Sequence, residues 1–158
     1  MTNTKMIKKS AFTVLGLGIT LSGDYQQLPA QKKGFWEQVT TDGRLAALKQ
    51  QAQNSLEFAV NEAIDGAMHF YAGVQTAAEV SVGPDQRAIH FPASEYLVVS
   101  GQAKSVPELF ASLEGLAFGQ ALPSLTDKAY VGGPNATVIT AKQADGVTGE
   151  LWIPVVTK

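Results

Sequence analysis

The stretch of sequence that decides the fold is FAVNEAIDGAMHFYAGV, residues 58–74. Aromatic, β-branched and small apolar residues lie on both sides of Asp65-Gly66, and an Asp-Gly pair between two such runs is a strong signal for a tight β-hairpin. We therefore predict a hairpin whose strands occupy residues 56–63 and 67–80.

The segment before the hairpin contains an apolar run at residues 11–21 that follows several lysines, an order that also outlines a short signal peptide. A first β-strand explains the run better, because Gly16 and Gly18 weaken a helical segment and residues 21–23 make a poor cleavage site. Residues 1–10 are then interpreted as an N-terminal tail, and the protein is expected in the cytoplasm.

Helical periodicity follows this strand. Phe35, Trp36 and Val39 share one face of a predicted helix at residues 30–39. The next segment, residues 42–54, is rich in good helix formers and is interpreted as a second helix.

The second half of the chain repeats the order strand, helix, strand, strand. A turn at residues 83–85 separates the halves, and Ser105 with Glu108 forms a capping box before an apolar-faced helix. The predicted elements of this half are strands at residues 87–92 and 94–102, the helix at residues 106–119, and strands at residues 136–142 and 148–156.

No linker separates the two halves, at about residues 11–80 and 86–157. A chain of 158 residues with 45% hydrophobic residues is large enough for one well-packed core. We therefore predict a single α+β domain over residues 11–158.

The composition excludes several classes of function. A net charge of −2 lacks the basic field of a nucleic-acid-binding protein. The sequence has no cysteine, and its two histidines, His69 and His90, are too few for a metal cluster. No apolar run is long enough to span a membrane. We expect no metal, no cofactor and no membrane partner.

Several segments carry a resemblance to a known family. They are VLGLG at 14–18, FWEQV at 35–39, FAVNEAIDGAMHFYAGV at 58–74, HFPASEYLVVSGQ at 90–102 and GELWIPV at 149–155. In this order and spacing they resemble the GyrI-like family, which also supplies the effector-binding domains of AraC-type and MerR-type transcription activators.

The resemblance implies a duplicated β-α-β-β, SHS2-like fold with pseudo-twofold symmetry. It implies a curved antiparallel sheet with helices on one face, and a groove between the halves that binds bulky aromatic or cationic small molecules. Family activators carry a DNA-binding domain before this fold, and only about ten residues precede it here, so no direct nucleic-acid binding is expected. Many relatives have a glutamate on the strand before the last, whereas residues 135–137 contain no acid.

The last predicted strand supplies the first candidate ligand residues. Glu150, Trp152 and Pro154 alternate with aliphatic residues, so a period of two places them on the face opposite the aliphatic side chains. We expect the aliphatic face to pack on the helices and Glu150 with Trp152 to face the groove. A carboxylate beside an aromatic ring suits a cation. The alternative is a solvated glutamate and a tryptophan packed on a neighbour.

Four further side chains are candidates for the ligand site. Tyr71 matches the family pattern and either faces the groove or fills the core, while His69 shares its strand face and is the weaker candidate. Trp36 either walls the groove or fixes the helix to the sheet. Tyr96 either lines the same cavity or is exposed. Lys32 and its neighbour Lys33 are interpreted as solvated charge.

Three functions remain open. The first is a small-molecule-binding domain, acting as a sensor or sequestering protein for a hydrophobic molecule, either uncharged or cationic. The second is a hydrolase of strained electrophiles, with Glu150 as general base, as in some relatives that this chain resembles. The third is a protein-binding inhibitor of the gyrase-inhibitor type, which requires a protein partner.

Overall fold

The computed structural model describes residues 3–130 and 132–158. The strands are β1 Asn3–Lys9, β2 Phe12–Thr20, β3 Glu57–Ile64, β4 Ala67–Thr76, β5 Gln86–Phe91, β6 Ser94–Ala103, β7 Lys128–Ala129, β8 Asn135–Gln143 and β9 Gly146–Thr157. The helices are α1 Leu28–Thr41, α2 Arg44–Leu48 and α3 Val106–Leu116. A 3₁₀ turn, Lys49–Gln51, follows α2, and a π-helical turn, Ala117–Ala121, extends α3.

The two repeats are β2-α1-β3-β4 and β6-α3-β8-β9. Within the described residues the strand order is β1-β6-β9-β8-β3-β4-β2-β5, all antiparallel, and β7 pairs with the end of β9. The repeats therefore meet along β3 and β8. Outward from this seam the first repeat continues with β4 and β2 and the second with β9 and β6, which are the equivalent strands of the two units. This architecture confirms the predicted α+β fold of two β-α-β-β units.

The sheet is strongly curled. Strands β1 and β2 lie six positions apart in the strand order, which corresponds to roughly 29 Å in a flat sheet at ~4.8 Å per strand. Only residues 10–11 connect them, and three peptide steps span at most about 11 Å. Residues 92–93 make the equivalent connection from β5 to β6. Both ends of the sheet must therefore curve toward each other.

Each face of the curled sheet carries its own buried cluster, because side chains alternate along every strand. The cluster between sheet and helices contains Leu151, Ile153 and Val155 from β9 together with helical side chains such as Leu109. The second cluster lines the concave face and includes Trp152 among its aromatic residues. The aliphatic face of β9 thus packs on the helices as predicted, and the curl of the sheet buries the other face.

Two predicted boundaries need correction. Residues 3–9, assigned to a tail, form β1, whose seven residues pair antiparallel with β6 and cover its edge. Its mostly exposed, lysine-rich side chains are typical of an edge strand, which is why the segment resembled a tail. The helix expected at 42–54 is shorter at both ends. Gly43, with φ 87°, places the start of α2 at Arg44, and α2 ends at Leu48, where the 3₁₀ turn Lys49–Gln51 leads into extended backbone at Ala52.

Among the described residues, no helix is both long enough and apolar enough to cross a bilayer.

Candidate functional site: a cavity between the repeats

A cavity of about 660 Å³ lies between α1, α3 and the β3–β4 hairpin. Its volume is within the ~300–1,000 Å³ range of small-molecule sites. Leu28 and Pro29 from α1, Met68 from β4 and Phe110 from α3 form apolar walls. One wall therefore comes from the first repeat and the facing wall from the second, as expected for a groove between halves.

Two large aromatic side chains that line this cavity are exposed to solvent. Tyr25 is 86% exposed and Phe118 is 41% exposed, and both line the cavity. The ring of Phe118 meets Tyr130 edge to face, with 5.7 Å between ring centroids. Exposed aromatic surface beside an apolar cavity is typical of a place where another molecule binds.

An ion pair crosses the cavity from one helix to the other. Lys32 Nζ on α1 lies 2.9 Å from Glu114 Oε1 on α3, and the two side chains are only 9% and 20% exposed. The ammonium group also lies 5.7 Å from the centre of the Phe70 ring. The interpretation of Lys32 as solvated charge is therefore wrong. Burial of both partners makes this pair part of the site and not of the solvated surface.

A pair of asparagines marks the seam between the repeats. Asn61 of β3 and Asn135 of β8 are register partners and both line the cavity. Asn61 Nδ2 donates to Asn135 Oδ1 at 3.0 Å and to Glu114 Oε2 at 3.0 Å, while Asn61 Oδ1 has no partner among the described residues. Asn135 Nδ2 donates to the Tyr130 hydroxyl at 3.2 Å, and burial raises the pKa of Tyr130. The floor of the cavity is thus a connected polar network.

Glu150 and Trp152 lie on the concave face of the sheet, away from α1 and α3. Trp152 is 8% exposed, and its Nε1 donates to Glu150 Oε1 at 2.9 Å. The chain itself supplies the cation, because Lys9 Nζ lies 3.8 Å from the centre of the Trp152 ring. Burial lowers the pKa of Lys9, and the Glu150 carboxylate acts in the opposite direction. Neither residue lines the cavity between the helices, so the position of Glu150 lends no support to hydrolysis there.

Tyr71 and His69 lie together near the β5 side of the sheet. Their rings are stacked at 6.3 Å, and His69 Nδ1 is 3.2 Å from Thr20 Oγ1. Burial, followed by the charge of Glu62, raises the pKa of Tyr71 to about 12. Arg87 holds the Glu62 carboxylate through two hydrogen bonds of 2.8 and 3.0 Å. The two rings line a shallow depression of about 220 Å³, separate from the larger cavity.

Tyr96 and Trp36 are both core residues in this fold. Tyr96 is fully buried on the concave face, and its hydroxyl donates to the Pro92 carbonyl at 2.7 Å. Trp36 is buried between α1 and the sheet, where it meets Phe110 edge to face at 6.4 Å. The structure therefore brings Glu150, Trp152, Tyr71 and Tyr96 to one face of the sheet and leaves Trp36 on the other. As ligand residues, all six candidates remain predictions.

The sequence did contain a signal for the residues that line the cavity. Lys32, Phe35, Trp36 and Val39 occupy positions i, i+3, i+4 and i+7, so helical periodicity places Lys32 on the buried face of α1. Glu114 similarly follows Phe110 by one turn on α3. A charged residue at a position that helical periodicity assigns to the buried face therefore indicates a buried charge.

One family model matches almost the whole sequence. Described as Cass2, integron-associated effector binding protein, it covers residues 5–155. No protein of curated function matches the chain significantly.

Three solved structures are similar to this chain in fold. The structure of SAV2435 bound to tetraphenylphosphonium has a TM-score of 0.75 at 17% identity, over 98% of this chain and 94% of that one. A Staphylococcus aureus MU50 protein with a provisional role in bacterial transcription regulation has a TM-score of 0.74 at 18% identity, over 97% of both chains. The Vibrio cholerae integron cassette protein VCH_CASS2 has a TM-score of 0.65 at 13% identity, over 97% of this chain and 95% of that one.

Proposed function

Because the chain belongs to the family of integron-associated effector binding proteins, we propose that it is a small-molecule-binding domain whose ligand occupies the cavity between α1 and α3. In this proposal the protein senses or sequesters a hydrophobic, aromatic molecule. The observation that carries it is the cavity of about 660 Å³ with apolar walls and with Tyr25 and Phe118 exposed beside it.

The binding free energy would come mainly from burial of apolar surface. A ligand that buries roughly 200 Å² of such surface gains about 5 kcal/mol at ~25 cal/mol per Å². Part of this gain offsets the entropy lost on association. The polar network of Asn61, Asn135 and Glu114 would orient the ligand at the floor of the cavity. A structurally similar protein, SAV2435, is bound to tetraphenylphosphonium, which supports an aromatic ligand here.

The test is calorimetric titration with two phenyl-substituted phosphorus compounds, tetraphenylphosphonium and triphenylphosphine oxide, on variants that fill or spare the cavity. Ala111 lines the cavity on α3, so Ala111→Trp is expected to abolish binding. Ser112 is exposed on the same helix and does not line the cavity, so Ser112→Trp is the matched control and is expected to bind normally. If neither probe binds the wild-type protein, or if both variants bind equally well, the proposed function is wrong.

A further inference from the structure

The charged groups around the cavity are already compensated within the described part of the chain. Three described lining residues are charged: Lys32, Glu62 and Glu114. Glu114 is paired with Lys32, and Glu62 is held by two hydrogen bonds from Arg87. Both carboxylates that line the described part of the cavity therefore have a cationic partner.

A permanent cation would meet unfavourable conditions in this site. Both oxygens of Glu114 are engaged, Oε1 by Lys32 at 2.9 Å and Oε2 by Asn61 at 3.0 Å. A quaternary phosphonium or ammonium ion has no N–H group with which to replace these hydrogen bonds. It would also lie close to the Lys32 ammonium, and repulsion between like charges is strong where water is largely excluded.

An uncharged ligand that accepts hydrogen bonds fits the same groups well. An ammonium group carries three donors, and Lys32 uses one of them on Glu114, with no other hydrogen bond from this group among the described residues. A phosphoryl, carbonyl or sulfonyl oxygen of a ligand could accept a second one. The ligand's aromatic groups would then lie against Phe110 and Met68, and the ion pair would stay intact.

On this basis we infer that Lys32 is the specificity-determining residue of the cavity and directs it to uncharged aromatic molecules that carry a hydrogen-bond acceptor. The inference rests on the proposed function, because it assigns a ligand class to the same site. The Glu114 carboxylate alone would indicate a preference for cationic ligands, because without Lys32 it would attract a cation.

Two probes of nearly the same shape test this inference. Triphenylphosphine oxide is uncharged and has a phosphoryl acceptor, whereas methyltriphenylphosphonium replaces that oxygen by a methyl group and carries a positive charge. Their dissociation constants are measured by calorimetry on the wild-type protein, on Lys32→Met, and on Lys33→Met as the matched control. Lys33 is the exposed neighbour of Lys32 and does not line the cavity. Thermal unfolding followed by circular dichroism verifies that each variant is folded, and Lys32→Gln replaces Lys32→Met if the latter is not.

We expect the wild-type protein and Lys33→Met to bind the oxide at least about tenfold more tightly than the phosphonium. In Lys32→Met the preference should reverse, because Glu114 is then free to attract the cation and the donor to the oxide is lost. Binding of both probes with the same ratio in all three proteins would overturn the role of Lys32, while the proposed function would stand. Failure of both probes to bind any variant would overturn the proposed function and the inference with it.

Discussion

The ion pair between α1 and α3 leads to a quantitative prediction about stability. Removing one partner of a fully buried pair costs about 3–5 kcal/mol, because the remaining charge is left without compensation. Lys32 is 9% exposed and Glu114 is 20% exposed, so each lone charge can reach some water. We therefore expect Glu114→Met to lower the free energy of unfolding by about 2–3 kcal/mol, and Lys32→Met by about 1–2 kcal/mol.

The double variant Lys32→Met/Glu114→Met should be much less destabilised than the sum of the single variants. Both charges are then absent, and two apolar side chains of similar length can pack between Phe110 and the sheet. We expect a total loss of about 1 kcal/mol, which against the summed single-variant losses corresponds to a coupling free energy of about 2–4 kcal/mol. For a domain of this size, 1 kcal/mol shifts Tm by roughly 2–4 °C.

The assay is urea unfolding followed by circular dichroism, completed as a double-mutant cycle. The matched control is the pair Asp42–Arg44, whose side chains are 37% and 38% exposed and whose atoms are also 2.9 Å apart. For this exposed pair we expect a coupling free energy of at most about 0.5 kcal/mol. If the two cycles give equal coupling, or if the Lys32 and Glu114 variants are simply additive, the reasoning from burial is refuted.

Two further predictions concern the sheet. The pKa of Tyr71 is raised from 10.0 to about 12, so the unfolded chain loses this proton first. The contribution of Tyr71 to stability is therefore complete below pH 10 and declines as the pH rises toward 12. Urea unfolding at increasing pH should show a steeper loss of stability for the wild-type protein than for Tyr71→Phe. Parallel losses in the two proteins would contradict this role of Tyr71. Gly149→Ala should lower the free energy of unfolding by several kcal/mol, because a Cβ there would clash with the Val138 carbonyl oxygen. The control Gly34→Ala, on the open face of α1, should instead stabilise the protein by about 0.5–1 kcal/mol. Equal effects of the two substitutions in urea unfolding would contradict the packing argument.

The sequence predicted the repeated elements well, and the resemblance to GyrI-like effector-binding domains is confirmed. The reason is physical: an Asp-Gly turn between β-forming runs, and a capping box before an apolar helix face, are local signals that depend on few distant contacts. Ser105 indeed accepts a hydrogen bond from the backbone of Glu108 at the start of α3. The edge strand β1 was missed because its pairing with β6 is set by the tertiary fold and not by its own composition.

The prediction that Glu150 and Trp152 face a ligand groove required knowledge of what covers each face of the sheet, which the alternation of side chains does not give. A period of two separates Trp152 from Leu151, but it does not say what covers each face. The expectation was that the helices cover one face and a ligand covers the other. In this fold the sheet covers its own concave face, where the Trp152 ring meets Phe12 at 5.6 Å and Phe58 at 5.8 Å. The two-residue connections at 10–11 and 92–93 are the covalent cause of this curl.

The chemistry expected of Glu150 and Trp152 is present in the molecule, although with an internal partner. A carboxylate beside an indole ring was expected to attract a cation, and the ammonium group of Lys9 occupies that position. The same principle operates between α1 and α3, where Lys32 occupies the position that a ligand cation would take beside Glu114. In both places a lysine from the chain compensates the acid before any ligand arrives.

This pattern changes how an acid in such a cavity should be interpreted. Many relatives that the sequence resembles have a glutamate on the strand before the last, and here that strand contributes Asn135, an amide that hydrogen-bonds across the seam to Asn61. The two acids of this cavity come instead from β3 and α3, where Glu62 is paired with Arg87 and Glu114 with Lys32. Since the attraction for a cation depends on uncompensated charge and not on the number of carboxylates, the preference for uncharged ligands that we infer depends on Lys32 as much as on Glu114. Under this inference, a lysine in register with the apolar face of the first helix is the sequence feature that indicates a preference for uncharged ligands.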